Sequence, residues 1–225
     1  LMFVKICGVT TEEDALLAVG MGADALGFNF VAGSSRQIRT ATARDIVRRL
    51  PGGVLTVGVF RDELKERVVE VTHEAGLQAA QLHGRESSND SSWVAQRIPY
   101  LIKAFTAGDA AMDGLDRYSA SAVLVDAPEP GSGEVFDWSM LDGRERGRPL
   151  ILAGGLHPKN VAQAVRIVRP WGVDVASGVE SSPGTKDPVK VREFILNARE
   201  AEAAMEPTGE EFDPDAPRPY DWRDE

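Results

Sequence analysis

At 225 residues and 43 % hydrophobic, the chain is long enough for one sizeable domain and too apolar to be disordered. A formal charge of −10 argues against nucleic-acid binding, and no apolar run approaches the roughly 20 residues that span a bilayer. One cysteine, Cys7, rules out an internal disulfide, and beside only three histidines it gives no reason to expect a structural zinc site.

Phe3–Ile6 is a short strand-like run with no signal-peptide pattern before it, so a cytoplasmic protein is expected. Thr10-Thr11-Glu12-Glu13 follows with the form of a capping box, in which the Thr10 hydroxyl would accept from the Glu13 amide. Further strand candidates are Ala23–Phe30, Val54–Phe60, Gln78–Leu82, Tyr100–Phe105, Ala122–Val125, Leu150–Leu152 and Val173–Ala176. Their starts recur about every 20 to 30 residues, the length of one βα unit. Asp62 is expected to open a helix with apolar Leu64, Val68, Val71 and Ala75. Pro158 should stand at a first helical position ahead of Val161, Ala164, Val165 and Val168. Asp187-Pro188 should do the same ahead of Val191, Phe194, Ile195 and Ala198.

Eight such units over 1–199 predict an α/β fold whose parallel sheet closes as a single (β/α)8 TIM barrel. An open doubly wound sheet is the competing closure. No G-x-G-x-x-G pattern opens the first βα unit to favour it. Residues 200–225 are a C-terminal acidic, Pro-rich tail, in which ten carboxylates face only Arg218 and Arg223. That segment carries −8 of the total −10 and is expected to be disordered or loosely docked. Docking of a partner through Phe212, Tyr220 and Trp222 is the alternative. The nearly neutral body leaves room for a basic site that takes an anionic small molecule.

A parallel barrel carries its active site at the carboxyl ends of its strands. The polar residues there are Cys7 after the first strand, Asn29 and Ser34-Ser35-Arg36 after the second, and Arg61-Asp62 after the third. His83 follows the fourth and Asp126 the sixth, with Gly154-Gly155 and Ser177-Gly178 after the seventh and eighth. Glycine pairs on the last two loops suit a phosphate held by backbone N–H groups. A lone cysteine is ordinarily a small buried hydrophobe. Here it ends a strand at the mouth, three strands from Asp126 on the ring, which allows an acid and a base on opposite sides of one substrate. His83 suits a structural or substrate-positioning hydrogen bond, whereas His73 and His157 read as structural residues in helical segments.

Val4-Lys5-Ile6-Cys7-Gly8 resembles the opening of the phosphoribosylanthranilate isomerase family. So do Gln81-Leu82-His83-Gly84, Leu124-Val125-Asp126, Phe136-Asp137-Trp138 and Leu152-Ala153-Gly154-Gly155-Leu156. The run from Val173 to Glu180 and Pro183-Gly184-Thr185-Lys186-Asp187 complete the set, which covers about 1–199. The resemblance implies an isomerase of tryptophan biosynthesis with Cys7 as general base and Asp126 as general acid. It also implies that Arg36 contacts the anthranilate end of the substrate. His83 and Asp174 are expected to bind substrate, and Gly154, Gly155, Ser177 and Gly178 to bind its phosphate. The expected partner is a small phosphosugar, with no nucleic acid, membrane, metal or cofactor, in a monomer or homodimer. A related aminoaldose or phosphosugar isomerase, and a non-catalytic sugar-phosphate-binding barrel, are the competing readings. Two positions depart from the family pattern: Glu134 where a lysine is usual, and Ser35 in place of the proline before Arg36.

Overall fold

Eight parallel strands close on themselves in the computed structural model, which describes residues 1–127, 138–141 and 147–205. They are β1 (Phe3–Cys7), β2 (Ala25–Asn29), β3 (Leu55–Phe60), β4 (Ala79–Leu82), β5 (Tyr100–Thr106), β6 (Ala122–Asp126), β7 (Leu150–Leu152) and β8 (Gly172–Val175). The ring is completed where β1 pairs with both β2 and β8, Lys5 lying opposite Ala25 on one side and Asp174 on the other. The open-sheet alternative is thereby excluded. Each strand is buried on both faces, which explains why the sequence reads as near-continuous apolar runs.

Successive side chains alternate between the barrel interior and the helices outside. Phe3, Leu55, Val57, Ile102, Leu124 and Ile151 fill the interior, with alanines at Ala25, Ala79, Ala104 and Ala122 making space for them. Their neighbours along the strands, among them Val4, Ile6, Leu26, Phe28, Val123 and Val125, belong to the core beneath the helices. Phe3 stacks on Trp171 at 4.4 Å and, with Tyr100 packed against the same interior cluster, closes the amino-terminal end with apolar rings. Polar inward positions are therefore left to the carboxyl ends.

The helices are α1 (Glu12–Gly20), α2 (Thr40–Val47), α3 (Lys65–Glu74), α4 (Ser88–Ala95), α5 (Val161–Val168) and α6 (Pro188–Ala203). After β5 the crossover is a 3₁₀ segment, Ala110–Tyr118, broken at Gly114 (φ −129°, ψ 34°). After β6 the described residues hold only the 3₁₀ turn Trp138–Leu141. Eight α-helical crossovers are thus too many. Asp109 caps the Ala111 amide and Gly114 breaks the run, so the segment stays 3₁₀ and builds no α-helical turn. No described helix is long and apolar enough to cross a membrane.

Three helix starts also differ from expectation. Thr11, not Thr10, caps α1 by accepting from the Asp14 amide at 3.2 Å. Thr10 instead donates to the Gly184 carbonyl at 2.8 Å. Asp62 sits at φ 52° and its carboxylate accepts from the Arg85 amide. Helix α3 begins three residues later, with Leu64 left 73 % exposed ahead of it. Pro158 lies in a turn before α5, as does His157, whose amide donates to the Asn160 side chain. At α6 the expectation holds: Asp187 accepts from the Val189 and Lys190 amides and Pro188 takes the first turn, where its missing N–H is no loss. Phe194 of α6 is fully buried, so truncating it to alanine costs about 3–5 kcal/mol. The helix continues four residues past Arg199, with Ala201 buried and the Glu202 carboxylate accepting from the Met2 amide.

Candidate active site

The inward alternation of β1 runs Phe3, Lys5, Cys7. The last two sit where the interior turns from apolar to polar. Lys5 is fully buried, and its Nζ lies 2.8 Å from Asp174 Oδ1 on β8. Its ammonium also faces the Cys7 sulfur, the two sharing the space beside Gly27. Burial works to lower the Lys5 ammonium, but Asp174 and the sulfur carry it above the ordinary lysine value. Burial also pushes the Cys7 thiol up, and Lys5 and Lys186 pull it back without cancelling the shift. Gly27 on β2 leaves the space that both groups use. A methyl there would stand 2.7 Å from Cys7 Sγ and 3.2 Å from Lys5 Nζ.

Asp126 ends β6 with a buried carboxylate. One oxygen accepts from the Ala127 amide at 2.8 Å, and the other from His83 Nε2 at 3.1 Å. Gln81 Nε2 donates to His83 Nδ1 at 2.8 Å, and that orientation of the amide puts the imidazole proton on Nε2, facing Asp126. Gln81 and His83 are alternate inward residues of one strand end, so a period of two delivers them to the same acid.

Behind His83, Lys103 faces outward from β5 and is almost wholly buried. Its Nζ reaches the carbonyls of Leu82 (3.3 Å), Gly84 (2.8 Å) and Ala104 (3.1 Å), and Glu86 Oε2 at 2.9 Å. Glu86 in turn accepts from the Asp62 and Gly84 amides, so the loops after β3 and β4 share one anchor.

Arg36 lies across Gly8. Its Nε and Nη2 each donate to Glu180 at 2.8 Å, a bidentate pair. Glu180 begins a small hairpin, β9 (Glu180–Ser182) and β10 (Thr185–Lys186). Lys186 is buried there, donating to the carbonyls of Cys7 (2.6 Å) and Ala176 (3.2 Å) and to Glu180 Oε1 (3.0 Å). Burial lowers the Lys186 ammonium below its ordinary value despite that carboxylate. Asp14 of α1 accepts from the Lys186 amide and completes the surroundings.

Gly154 and Gly155 both take positive φ, 85° and 64°. A side chain on Gly154 would collide with Ala127 N at 2.3 Å and approach Asp126 Oδ1 at 2.9 Å. One on Gly178 would fall 1.9 Å from the Leu156 carbonyl, so the loops after β7 and β8 touch through that glycine. Asn160 Nδ2 ties the first of these loops by donating to the Gly155 carbonyl at 2.9 Å. Ser177 opens the single 3₁₀ turn Ser177–Val179.

The expected site residues therefore assemble as two groups, Cys7 with Asp174 and Arg36, and Asp126 with His83 and Gly154. Asp174, expected to bind substrate, has Lys5 as its partner. Lys5, Glu180 and Lys186 were not among the expected site residues. For Lys5 the signal was present: a lysine two residues before Cys7 on a strand shares its inward face. Glu180 and Lys186 are 144 and 179 residues from their partners Arg36 and Cys7, beyond the reach of local pattern. Glu134 and the acidic tail from residue 206 onward lie outside the described residues.

A family model described as N-(5'phosphoribosyl)anthranilate (PRA) isomerase matches residues 4–197. The N-(5'-phosphoribosyl)anthranilate isomerase of Desulforudis audaxviator is 49 % identical over 205 residues, covering 88 % of this chain and 98 % of the relative. The crystal structure of the phosphoribosyl anthranilate isomerase from Thermus thermophilus superposes with a TM-score of 0.83 at 42 % identity, over 88 % of this chain and 99 % of that one. A second solved structure, of a phosphoribosyl anthranilate isomerase in complex with reduced 1-(o-carboxyphenylamino)-1-deoxyribulose 5-phosphate, has a TM-score of 0.80 at 42 % identity, covering 89 % of this chain and all of that one. With its closed eight-stranded barrel and this agreement over nearly its whole described length, the chain belongs to the N-(5'-phosphoribosyl)anthranilate isomerase family.

Proposed function

We propose that the barrel mouth carries out the Amadori rearrangement of N-(5-phosphoribosyl)anthranilate to 1-(2-carboxyphenylamino)-1-deoxyribulose 5-phosphate, a cytoplasmic step of tryptophan biosynthesis, with Cys7 as base and Asp126 as acid. The observation that carries this reading is the placement of the only thiol and a buried carboxylate at the inward ends of β1 and β6, three strands apart on a closed ring.

Asp126 in its acid form gives a proton to the furanose ring oxygen. The C1–O bond breaks, and the nitrogen lone pair forms the C1=N iminium. The Cys7 thiolate takes the C2 proton, and the C–H electrons become the C1=C2 bond of an enolamine, which neutralises the nitrogen. The balance closes when the sulfur's proton returns to C1 and the C2 hydroxyl gives its own to Asp126. The iminium is the electron sink, so the step asks for no further co-reactant. His83, donating to Asp126, orients the acid. Arg36 keeps Nη1 free of Glu180 and is the donor we assign to the substrate carboxylate. Backbone amides at Gly154, Gly155, Ser177 and Gly178 are assigned to the phosphate, whose binding fixes the reacting carbon.

The test is turnover of N-(5'-phosphoribosyl)anthranilate by Cys7→Ala, Cys7→Ser and Asp126→Asn. Each is expected to lose about 10²- to 10⁴-fold in kcat with its melting curve intact. A Cys7→Ala enzyme keeping more than about a tenth of the parent kcat would sink the base assignment. Because the thiol is held above its ordinary value, kcat/KM should still be rising with pH at alkaline values where an ordinary thiol has finished ionising.

A further inference from the structure

We propose that Lys5, anchored by Asp174 inside the barrel, is the positioning residue that holds the Cys7 sulfur and supplies the positive charge its base form needs. The inference rests on the reading of Cys7 as the base.

Stability does not explain Lys5. It is fully buried, and taking an ammonium and a carboxylate out of water is expensive. Replacing a buried ion pair by apolar groups of similar volume is often neutral or stabilising. The geometry supplies a different reason. Lys5 and Cys7 are alternate inward residues of β1, and Asp174 stands opposite Lys5 in the β1–β8 register. Lys5 Nζ donates to Asp174 at 2.8 Å, and that bond sets the ammonium beside the sulfur in the space left by Gly27, so the carboxylate aims the cation and the cation's charge faces the sulfur. Gly27 holds the two heads in one pocket, since a methyl there would press on both.

The other charges around the sulfur do not replace Lys5. Lys186 touches the Cys7 carbonyl, but it is shared with Glu180 and Ala176, and burial lowers its ammonium. Arg36 is committed bidentately to Glu180. Asp174 by itself opposes a thiolate, and its useful effect is to keep Lys5 charged. Asp14 meets Lys186 through the main chain, and Asp126 with His83 belongs to the other group of the mouth. Among these described groups, Lys5 sets its ammonium beside the sulfur while keeping its own counter-ion.

Cys7 is the only cysteine, so ultraviolet thiolate absorbance during a pH titration reports this sulfur alone. The double variant Lys5→Met/Asp174→Asn removes both charges and leaves no buried ion unpaired. It should titrate at higher pH, with at least about tenfold less thiolate at a fixed pH below the midpoint. The rising limb of kcat/KM should move by the same amount, and Lys5→Arg should restore the parent midpoint. A parent-like thiolate midpoint in a folded double variant overturns the proposal. The unaltered protein decides independently of folding: the ¹⁵N signal of the Lys5 ammonium should move through the same midpoint as the thiolate absorbance, and a signal flat across that titration also overturns it. The base assignment fails separately. Parent-like turnover by Cys7→Ala removes that assignment and leaves the charge coupling standing.

Discussion

Gly27 is the glycine of the mouth that stands against both Cys7 and Lys5. A methyl there meets Cys7 Sγ, the Cys7 Cα at 3.1 Å and Lys5 Nζ at once, and the Cα cannot swing aside. Gly27→Ala is expected to cost about 1–3 kcal/mol in stability and to lose activity beyond that loss, read by melting curves beside kcat. Glu180 invites a test by pH. Burial pushes its carboxyl up, but Arg36 and Lys186 overcome that and hold it below the usual range. A carboxyl depressed on folding stabilises the protein above its unfolded value, about pH 4.3, and that stability is lost as pH falls through the folded value. Glu180→Gln should therefore melt lower at pH 7 and show a shallower loss of stability in acid. An acid limb as steep as the parent's would show that Glu180 does not carry it. Cys7 and Asp126 could be found in the sequence because a polar residue directly after an apolar strand run stands out. Lys5 could have been found by parity. Glu180 and Lys186 could not, because their partners meet them only once the ring closes.

Strands were easier to foresee than helices, and the reason is physical. A strand buried on both faces leaves a dense apolar run that few other structures explain, and all eight appear within a few residues of their expected bounds. Helix starts depend on a single hydrogen bond, and adjacent hydroxyls compete for it. Thr10 and Thr11 are equivalent in sequence, and the Gly184 carbonyl takes Thr10 away from the cap. Pro158 and Asp62 depart for the same kind of reason: the Asn197 side chain donates to the Pro158 carbonyl, and the Asp62 carboxylate accepts from the Arg85 amide. The loops after β7 and β8 give an element-scale test. Gly178→Ala must push the Leu156 carbonyl aside, which parts two loops assigned to one phosphate. A rise in KM is expected together with a stability loss of about 1–3 kcal/mol. A variant that loses stability at unchanged KM would detach that loop contact from substrate binding.

Across the whole molecule the two ends of the barrel carry different kinds of residue. The amino-terminal end is closed by Phe3, Trp171 and Tyr100, and the carboxyl end holds charges paired over long chain distances. Phe3→Ala should therefore lower the melting point, by about 3–5 kcal/mol of stability, while the surviving folded enzyme keeps its KM. A comparison of truncations locates the boundary of the barrel. Removal of residues 206–225 should leave melting and turnover nearly unchanged, as expected for an acidic Pro-rich segment. Cutting after Arg199 also takes Ala201 and Glu202, and should cost on the order of 1 kcal/mol. Equal losses in the two truncations would show that the segment beyond 205 contributes to the fold.

Lys103 has a consequence of its own. Four oxygens surround its ammonium much as they would surround an alkali ion, yet this ion is tethered to the chain and has no dissociation equilibrium. Salt screens exposed pairs and scarcely reaches one that is 2 % and 5 % exposed. The order of the segment that presents His83 is thus written into the polypeptide, and it should persist through changes of ionic strength that loosen the pairs on the protein's surface.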